Sequence, residues 1–407
     1  MTSQSRHLYA ADHILVRQSL VELDTTPNTF MRAPGEAIGT FALEATVDEL
    51  AHRLGIDPVE LRLRNEPAVN PLDGKKFAHR MLRECFVRGA AEFGWADRSP
   101  EPGSMRDGRW LVGWGVAAAY HPAVQFTANV RVRLSADGAV LVRCGFQEMG
   151  MGGATAQAQI AADALGVPVE SVRVEYGDSD LPTGAPAGGS AQTASVAASL
   201  LTACDKLTRA LDKLAKQHRT FPAEALRAAG KPYLEAAVGA DSGLGAVAGQ
   251  LRFFSKFALD QRRWVKAAKG AHFCEVRVDP DTGETRISRW TGVFDVGRVI
   301  NAKTAVSQLK GGIVMGIGLA LSEETLVDPR TGRIMNPSLS EYHVPVHADI
   351  PPIDVHYLDE PDPTMPLGLI GIGEVGITGV AGAVANAVFH ATGKRVRDLP
   401  ITLDKLL

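Results

Sequence analysis

Residues Gly371-Ile372-Gly373-Glu374-Val375-Gly376 place one carboxylate in a glycine turn directly before an alanine-rich stretch. A glutamate there has few side chains to pair with and a backbone that can approach a ligand closely. That makes Glu374 a candidate general base. The same residues match G-x-G-x-x-G, but too little chain follows to finish a Rossmann half, and a carboxylate in the turn would repel a pyrophosphate. A dinucleotide site is disfavoured, and a plain structural turn is the competing reading.

Other glycine-rich segments also lead into helices. Phe30-Met31-Arg32-Ala33-Pro34-Gly35-Glu36 opens the first helical pattern, Phe146-Gln147-Glu148-Met149-Gly150-Met151-Gly152-Gly153 a second, and Pro186-Ala187-Gly188-Gly189-Ser190 a third. A helix start offers unpaired backbone N–H groups and the positive end of the helix dipole, which suits phosphates and oxyanions. One such loop is usually a turn. Several in one chain, beside a candidate base, fit a large anionic cofactor better.

The elements that must position these groups are mixed. Residues 13–23 alternate like a strand, and 24–28 read as a polar turn. The spacing predicts helices over 36–54 with Gly55 as the stop, and from Asp57-Pro58 onward with aspartate as N-cap. Residues 99–107 resemble a linker. Strands are expected at 111–119, 128–134, 139–144, 171–176, 272–278 and 285–290, and helices at 154–165, 191–217, 305–321 and 380–390. Residues 218–251 give no clear pattern. This order implies an α+β fold of mixed sheets with packed helices rather than a regular βαβ ladder.

With 407 residues, 45% hydrophobic and 22% charged, the chain suits a soluble globular protein of two or three domains. A net charge of −3 gives no reason to expect nucleic acid or an anionic membrane as partner. Cys85, Cys144, Cys204 and Cys274 form no CxxC pair, so an iron–sulfur cluster or zinc ribbon is not expected and buried free thiols are. His343 and His347 are four apart, but Pro345 between them argues against a helical metal face. No signal peptide is apparent, and the most apolar run, 311–321, reads as too short to span a bilayer. The expected location is cytoplasmic, or periplasmic if a partner carries the export signal.

The motifs together resemble the molybdenum-binding large subunit of the xanthine oxidase family, above all its bacterial periplasmic-type aldehyde oxidoreductase branch. The matching stretches are 30–36, 145–153, 184–190, 295–301, 308–318 and Gly373-Glu374, in the expected order over nearly the whole chain. The resemblance implies a molybdenum–molybdopterin cofactor, in its cytosine dinucleotide form, held by its pterin dithiolene and not by protein ligands. It implies that Glu374 deprotonates the oxygen nucleophile at molybdenum, a role that suits a partly desolvated carboxyl group. Arg32 matches the arginine beside the metal, Gln308 a glutamine on the pterin, and Ala187, Gly188, Gly189 and Ser190 the loop holding the pterin and its phosphates. Gln147 and Gly150 would form a second cradle, and Gly373, next to the base, would also contact the cofactor.

The implied reaction is oxidation of an aldehyde, aromatic by expectation, to the acid with water as oxygen donor. Hydroxylation of an N-heterocycle is the alternative, and a noncatalytic half-subunit or scaffold the reading from another class. Electrons would leave through [2Fe–2S] clusters and FAD on partner subunits. Met151 stands where the family often has glutamine. No cysteine lies near Arg32, which disfavours the copper-containing carbon monoxide dehydrogenase branch, and the loop lacks an aromatic purine clamp. Tyr120, His121 and Phe126 could line a substrate pocket or simply pack. The family's earlier GGGFG-type loop is not found, so the chain is expected to cover the C-terminal half of such a subunit. Residues 1–100 would end the first cofactor-binding domain and 101–407 form the second, with another polypeptide supplying the N-terminal half.

Overall fold

The computed structural model describes residues 2–24, 30–239, 251, 255, 258–260 and 262–407. Helix α1 (Glu36–Leu54) ends at Gly55, which takes φ 63° and donates its N–H to the carbonyls of Ala51 and His52. In α2 (Pro58–Arg64) the Asp57 carboxylate accepts from the N–H groups of Val59 and Glu60, and proline occupies the first turn, where no N–H is needed. Then come α3 (Leu82–Phe93), α4 (Gly153–Leu165), α5 (Gln192–His218), α6 (Ala302–Leu321) and α7 (Val380–Thr392).

The strands are β1 (Lys76–Phe77), β2 (Arg106–Asp107), β3 (Trp110–Pro122), β4 (Val130–Ser135), β5 (Val140–Arg143), β6 (Val172–Glu175), β7 (Tyr233–Val238), β8 (Trp264–Val265), β9 (Ala267–Val278), β10 (Thr285–Asp295) and β11 (Ile353–Tyr357). The larger sheet has the order β11-β10-β9-β3-β2, antiparallel except for the β10–β11 pair. The smaller runs β6-β5-β4-β7, with only β5–β6 parallel. A short parallel ladder joins β1 to β8. The fold is α+β, as expected from the sequence.

The centre of the larger sheet is covered on both faces. Even-numbered residues of β3, Trp114 and Val116 among them, share a core with Phe86 and Phe93 of α3 and Phe273 of β9. Odd-numbered residues face α7. A Cβ on Gly113 or Gly115 would collide with the carbonyl oxygens of Ala387 and Ala383, so the glycines let helix and strand meet backbone to backbone. α5 covers the smaller sheet, where Val196, Leu200 and Leu207 share a core with Val130, Val132 and Val142.

Residues 13–23 form no ladder, and Leu15, Leu20 and Val21 are 84%, 99% and 77% exposed. Alternation alone makes no strand without a sheet edge to donate to. Of the expected turn at 24–28, residues 25–28 lie outside the described residues. The run read as 311–321 belongs to the longer helix α6, long and apolar enough by length and composition to cross a bilayer. Its Leu309, Ile313 and Ile317 are buried in the core. All four cysteines are buried and none is in a disulfide.

Candidate active site

The turn carrying Glu374 threads a gap that only glycine fits. A Cβ on Gly371 would collide with Ser190, and one on Gly376 would lie 2.8 Å from the Leu309 carbonyl oxygen on α6. Beyond the turn, the Thr378 hydroxyl donates to the Val375 carbonyl (2.8 Å) and accepts from the Tyr120 N–H of β3 (3.0 Å). The Gly379 N–H donates to Thr40 Oγ1 of α1 at 2.9 Å. The turn carrying Glu374 is therefore mounted on α1, β3 and α6 together.

The Glu374 carboxylate is enclosed, its side chain 13% exposed. Oε1 accepts from the Ala33 N–H at 3.2 Å, and Oε2 accepts from the Ser190 hydroxyl at 2.9 Å. His121 Nε2, from the end of β3, lies 3.4 Å from Oε2. Ala33 and Ser190, the residues donating at these distances, both take φ 55°. A non-glycine residue there costs roughly 1–2 kcal/mol, strain of the kind that gathers at functional sites. The sequence reading gave this glutamate few side-chain neighbours, and the fold supplies two. Burial lowers the His121 pKa, which Glu374, Glu36 and the Pro122 carbonyl partly offset, so the ring is neutral near pH 7.

Arg32 does not reach outward. Its Nε donates to the Gly373 carbonyl at 2.5 Å and Nη2 to the Gln308 carbonyl at 2.7 Å, clamping the turn to α6. Burial lowers its pKa, and the Glu374 charge works against that. The Gln308 side chain reaches the Gly150 carbonyl at 3.4 Å, tying α6 to the loop before α4. Gln147 Oε1 accepts from the Ala187 N–H at 3.1 Å, linking that loop to the one before α5. Thus Glu374, Gly373, Arg32, Gln308 and Ser190 meet through direct bonds, while Gln147, Gly150 and Ala187 join the neighbouring loops. Gly188 and Gly189 complete the Ser190 loop, with Phe126 at its border.

Three participants were not singled out from sequence. The Ala33 N–H depends on a left-handed backbone that R-A-P-G does not announce. His121 was one of several possible pocket residues. Glu148 fills the helix start that had looked open: its carboxylate accepts from the N–H groups of Gly150 (2.9 Å), Gly152 (3.1 Å) and Gly153 (2.5 Å). An acidic residue just ahead of a glycine-rich helix start was the available signal. Tyr120, by contrast, is core, 1% exposed and stacked on His7.

The loop at Gly188 fits an anionic group. Gly188 is exposed, a Cβ on it would meet nothing within 4 Å, and the loop leads directly into α5, so a ligand can approach the backbone closely there, although the Ala187 N–H is already given to Gln147. Among the described residues, no group of three or more His, Cys, Asp or Glu side chains is placed to hold a metal ion.

Comparison with known proteins finds relatives over nearly the whole chain. Two family models, each described as a molybdopterin cofactor-binding domain, match residues 1–66 and 88–351. The aldehyde oxidoreductase molybdenum-binding subunit PaoC of Escherichia coli (strain K12) is 42% identical over 408 residues, covering 99% of this chain and 55% of PaoC. The xanthine dehydrogenase molybdenum-binding subunit of Escherichia coli O157:H7 is 32% identical, covering 92% of this chain and 52% of its own. The structure of the aldehyde oxidoreductase from Desulfovibrio gigas superposes with a TM-score of 0.75 at 26% identity, over 93% of this chain and 41% of that one. The chain thus spans about half the length of the curated relatives it matches.

Proposed function

The chain belongs to the molybdopterin cofactor-binding subunits of the xanthine oxidase family, and from that premise we propose that it is part of a molybdenum hydroxylase subunit that oxidises an aldehyde, aromatic by preference, to the carboxylic acid with water as oxygen donor. The observation that carries this reading is the enclosed Glu374 carboxylate, held by Ala33 N–H and Ser190 Oγ beside the Arg32 clamp.

When bound, the molybdenum–molybdopterin group supplies the oxidising centre. The chain's residues supply the rest. Glu374 takes the proton of the attacking oxygen, and a base fixed by its neighbours spends no reorganisation at that moment. Ala187, Gly188, Gly189 and Ser190 would hold the pterin and its phosphates, with the cytosine dinucleotide form proposed, and Gln308, Gln147 and Gly150 would line its other side. Glu148 already occupies the N–H groups at the start of α4, so phosphate binding falls to the α5 loop instead. Arg32 holds Gly373 in register and adds positive charge close to the base.

The partners proposed with this activity are an iron–sulfur subunit, an FAD subunit and the N-terminal half of the molybdenum subunit. The proposed domain boundary lies near residue 100, and the proposed location is cytoplasmic or, with an exported partner, periplasmic. In the assembled complex, Glu374→Gln is expected to abolish turnover with molybdenum content near normal. Full activity in that variant would remove Glu374 as the base. Failure of molybdenum to appear with any partner would favour the scaffold reading.

A further inference from the structure

His121 is the one titratable side chain at the base that the proposed reaction leaves without a task. It sits at the end of β3, 4% exposed, with Nε2 aimed at Glu374 Oε2 across 3.4 Å. The same oxygen accepts from Ser190 Oγ while Ala33 holds Oε1, so the ring approaches Oε2 from β3 and the serine hydroxyl from the loop before α5. The charged groups near the ring are Glu374, on the turn before α7, and Glu36, in the first turn of α1. Glu36 is itself engaged by the Ser3 hydroxyl at 2.5 Å. A ring 4% exposed between two carboxylates would not be kept for packing alone, since an apolar side chain fills the same space without the cost of burying two ring nitrogens.

We propose that His121 is a positioning residue for the base: its Nε2–H holds Oε2 of Glu374 and, with Ser190, fixes the carboxylate plane and favours its ionised form. The proposal rests on Glu374 being the base. The Pro122 carbonyl and the Glu374 carboxylate compete for the one proton of a neutral ring. We place it on Nε2, because the other tautomer would set a lone pair against the charged acceptor. A hydrogen bond to the charged form of a carboxyl group makes that form easier to reach.

Variants of the full chain in its assembled complex test this, with Glu374→Gln as reference. His121→Phe keeps the ring and loses the donor. His121→Asn keeps an amide near the backbone but is too short to reach Oε2. His121→Gln restores a donor at about the Nε2 position. Expected for the first two are a kcat lowered about tenfold, KM changed by less than threefold, and an acidic limb of the kcat/KM profile moved up by about one pH unit, with His121→Gln close to the parent on all counts. A second readout needs no turnover. The infrared carboxyl band missing in Glu374→Gln should titrate about one pH unit higher in His121→Phe. If His121→Phe does not fold, His121→Asn carries the test.

Parent-like profiles and an unmoved band in His121→Asn, with Glu374→Gln inactive, overturn the proposal and leave the base in place. So does a His121→Gln variant as impaired as His121→Asn. An active Glu374→Gln removes the base reading, and the proposal with it.

Discussion

The pair Glu44–Arg62 offers the sharpest test of how the site is held. Both side chains are 0% exposed. Glu44 Oε2 accepts from Arg62 Nε and from the Ala118 N–H of β3, each at 2.8 Å, and Oε1 accepts from the Tyr9 hydroxyl at 2.7 Å. The Glu44 carbonyl takes Arg62 Nη2 and Asn386 Nδ2 of α7. The Glu44 carboxylate thus ties α1 to α2, β3 and the N-terminal arm, and its carbonyl adds α7. Burial pulls the Arg62 pKa down, but Glu44, Tyr9 and Asp48 more than offset it.

Glu44→Gln keeps the shape, so no cavity term enters. Turned with its oxygen toward Arg62 and Ala118, the amide can keep those two donors, and its NH2 can donate to the Tyr9 oxygen. What goes is the charge, which leaves Arg62 buried and uncompensated. Removing one partner of such a pair costs about 3–5 kcal/mol. At no more than about 2 °C per kcal/mol for a chain of this size, the melting temperature should fall by several degrees and by no more than roughly 6–10 °C. Replacing both, as Glu44→Gln with Arg62→Met, should recover most of the loss, because no lone charge remains. Urea midpoints of the parent, the two single variants and the double variant close the cycle. A loss under about 1 kcal/mol for Glu44→Gln, or a double variant that merely sums the singles, would refute the reasoning.

Three further outcomes follow from the same geometry. Gly115→Ala forces a methyl into the Ala383 carbonyl and should cost at least about 1–3 kcal/mol by urea melting; a neutral result would mean that α7 is free to shift. Ser190→Ala removes a donor to a carboxylate, a loss of about 1.5–3 kcal/mol or roughly 10–150-fold in kcat/KM, and Ser190→Gly should be as slow yet more stable, since it relieves φ 55°. His390 accepts from the Trp114 N–H at Nδ1 (2.9 Å) and sits 2.7 Å from the Ser99 carbonyl at Nε2, which requires a neutral ring. Burial first, then Arg98, hold its pKa at about 4 against the Ser99 carbonyl. Its contribution is therefore full above the unfolded value of about 6.5 and lost as pH falls to about 4, and urea midpoints that stay level over that window would contradict it.

Much of this was legible from local chemistry. Gly55 and Asp57-Pro58 mark helix ends because caps satisfy backbone groups within a few residues. The grouping of Glu374, Arg32, Gln308 and Ser190 was legible only through the family motifs, since they are spread along the chain from residue 32 to residue 374. Where the partner is distant, pattern fails. β9 begins at Ala267, five residues earlier than expected, because Ala-Ala-Lys-Gly-Ala is buried on both faces and shows no alternation. β11 pairs in parallel with β10 across a long connection, and 13–23 alternate with no partner at all. His121 could not be told from a packed histidine, because its meaning depends on a carboxylate 253 positions later in the chain, as 374 − 121 shows.

The glycine seam between β3 and α7 has a consequence for how such a protein can change. The turn bearing Glu374 runs straight into a helix whose seat at Gly113 and Gly115 is made of main-chain atoms, which every residue has in common. Side chains elsewhere around the helix can therefore be exchanged for others of similar bulk without moving the turn that bears Glu374. Reshaping the surroundings and keeping that carboxylate in place become separable problems, and growth at the close-approach glycines, Gly113, Gly115 and Gly379 among them, ties them together again.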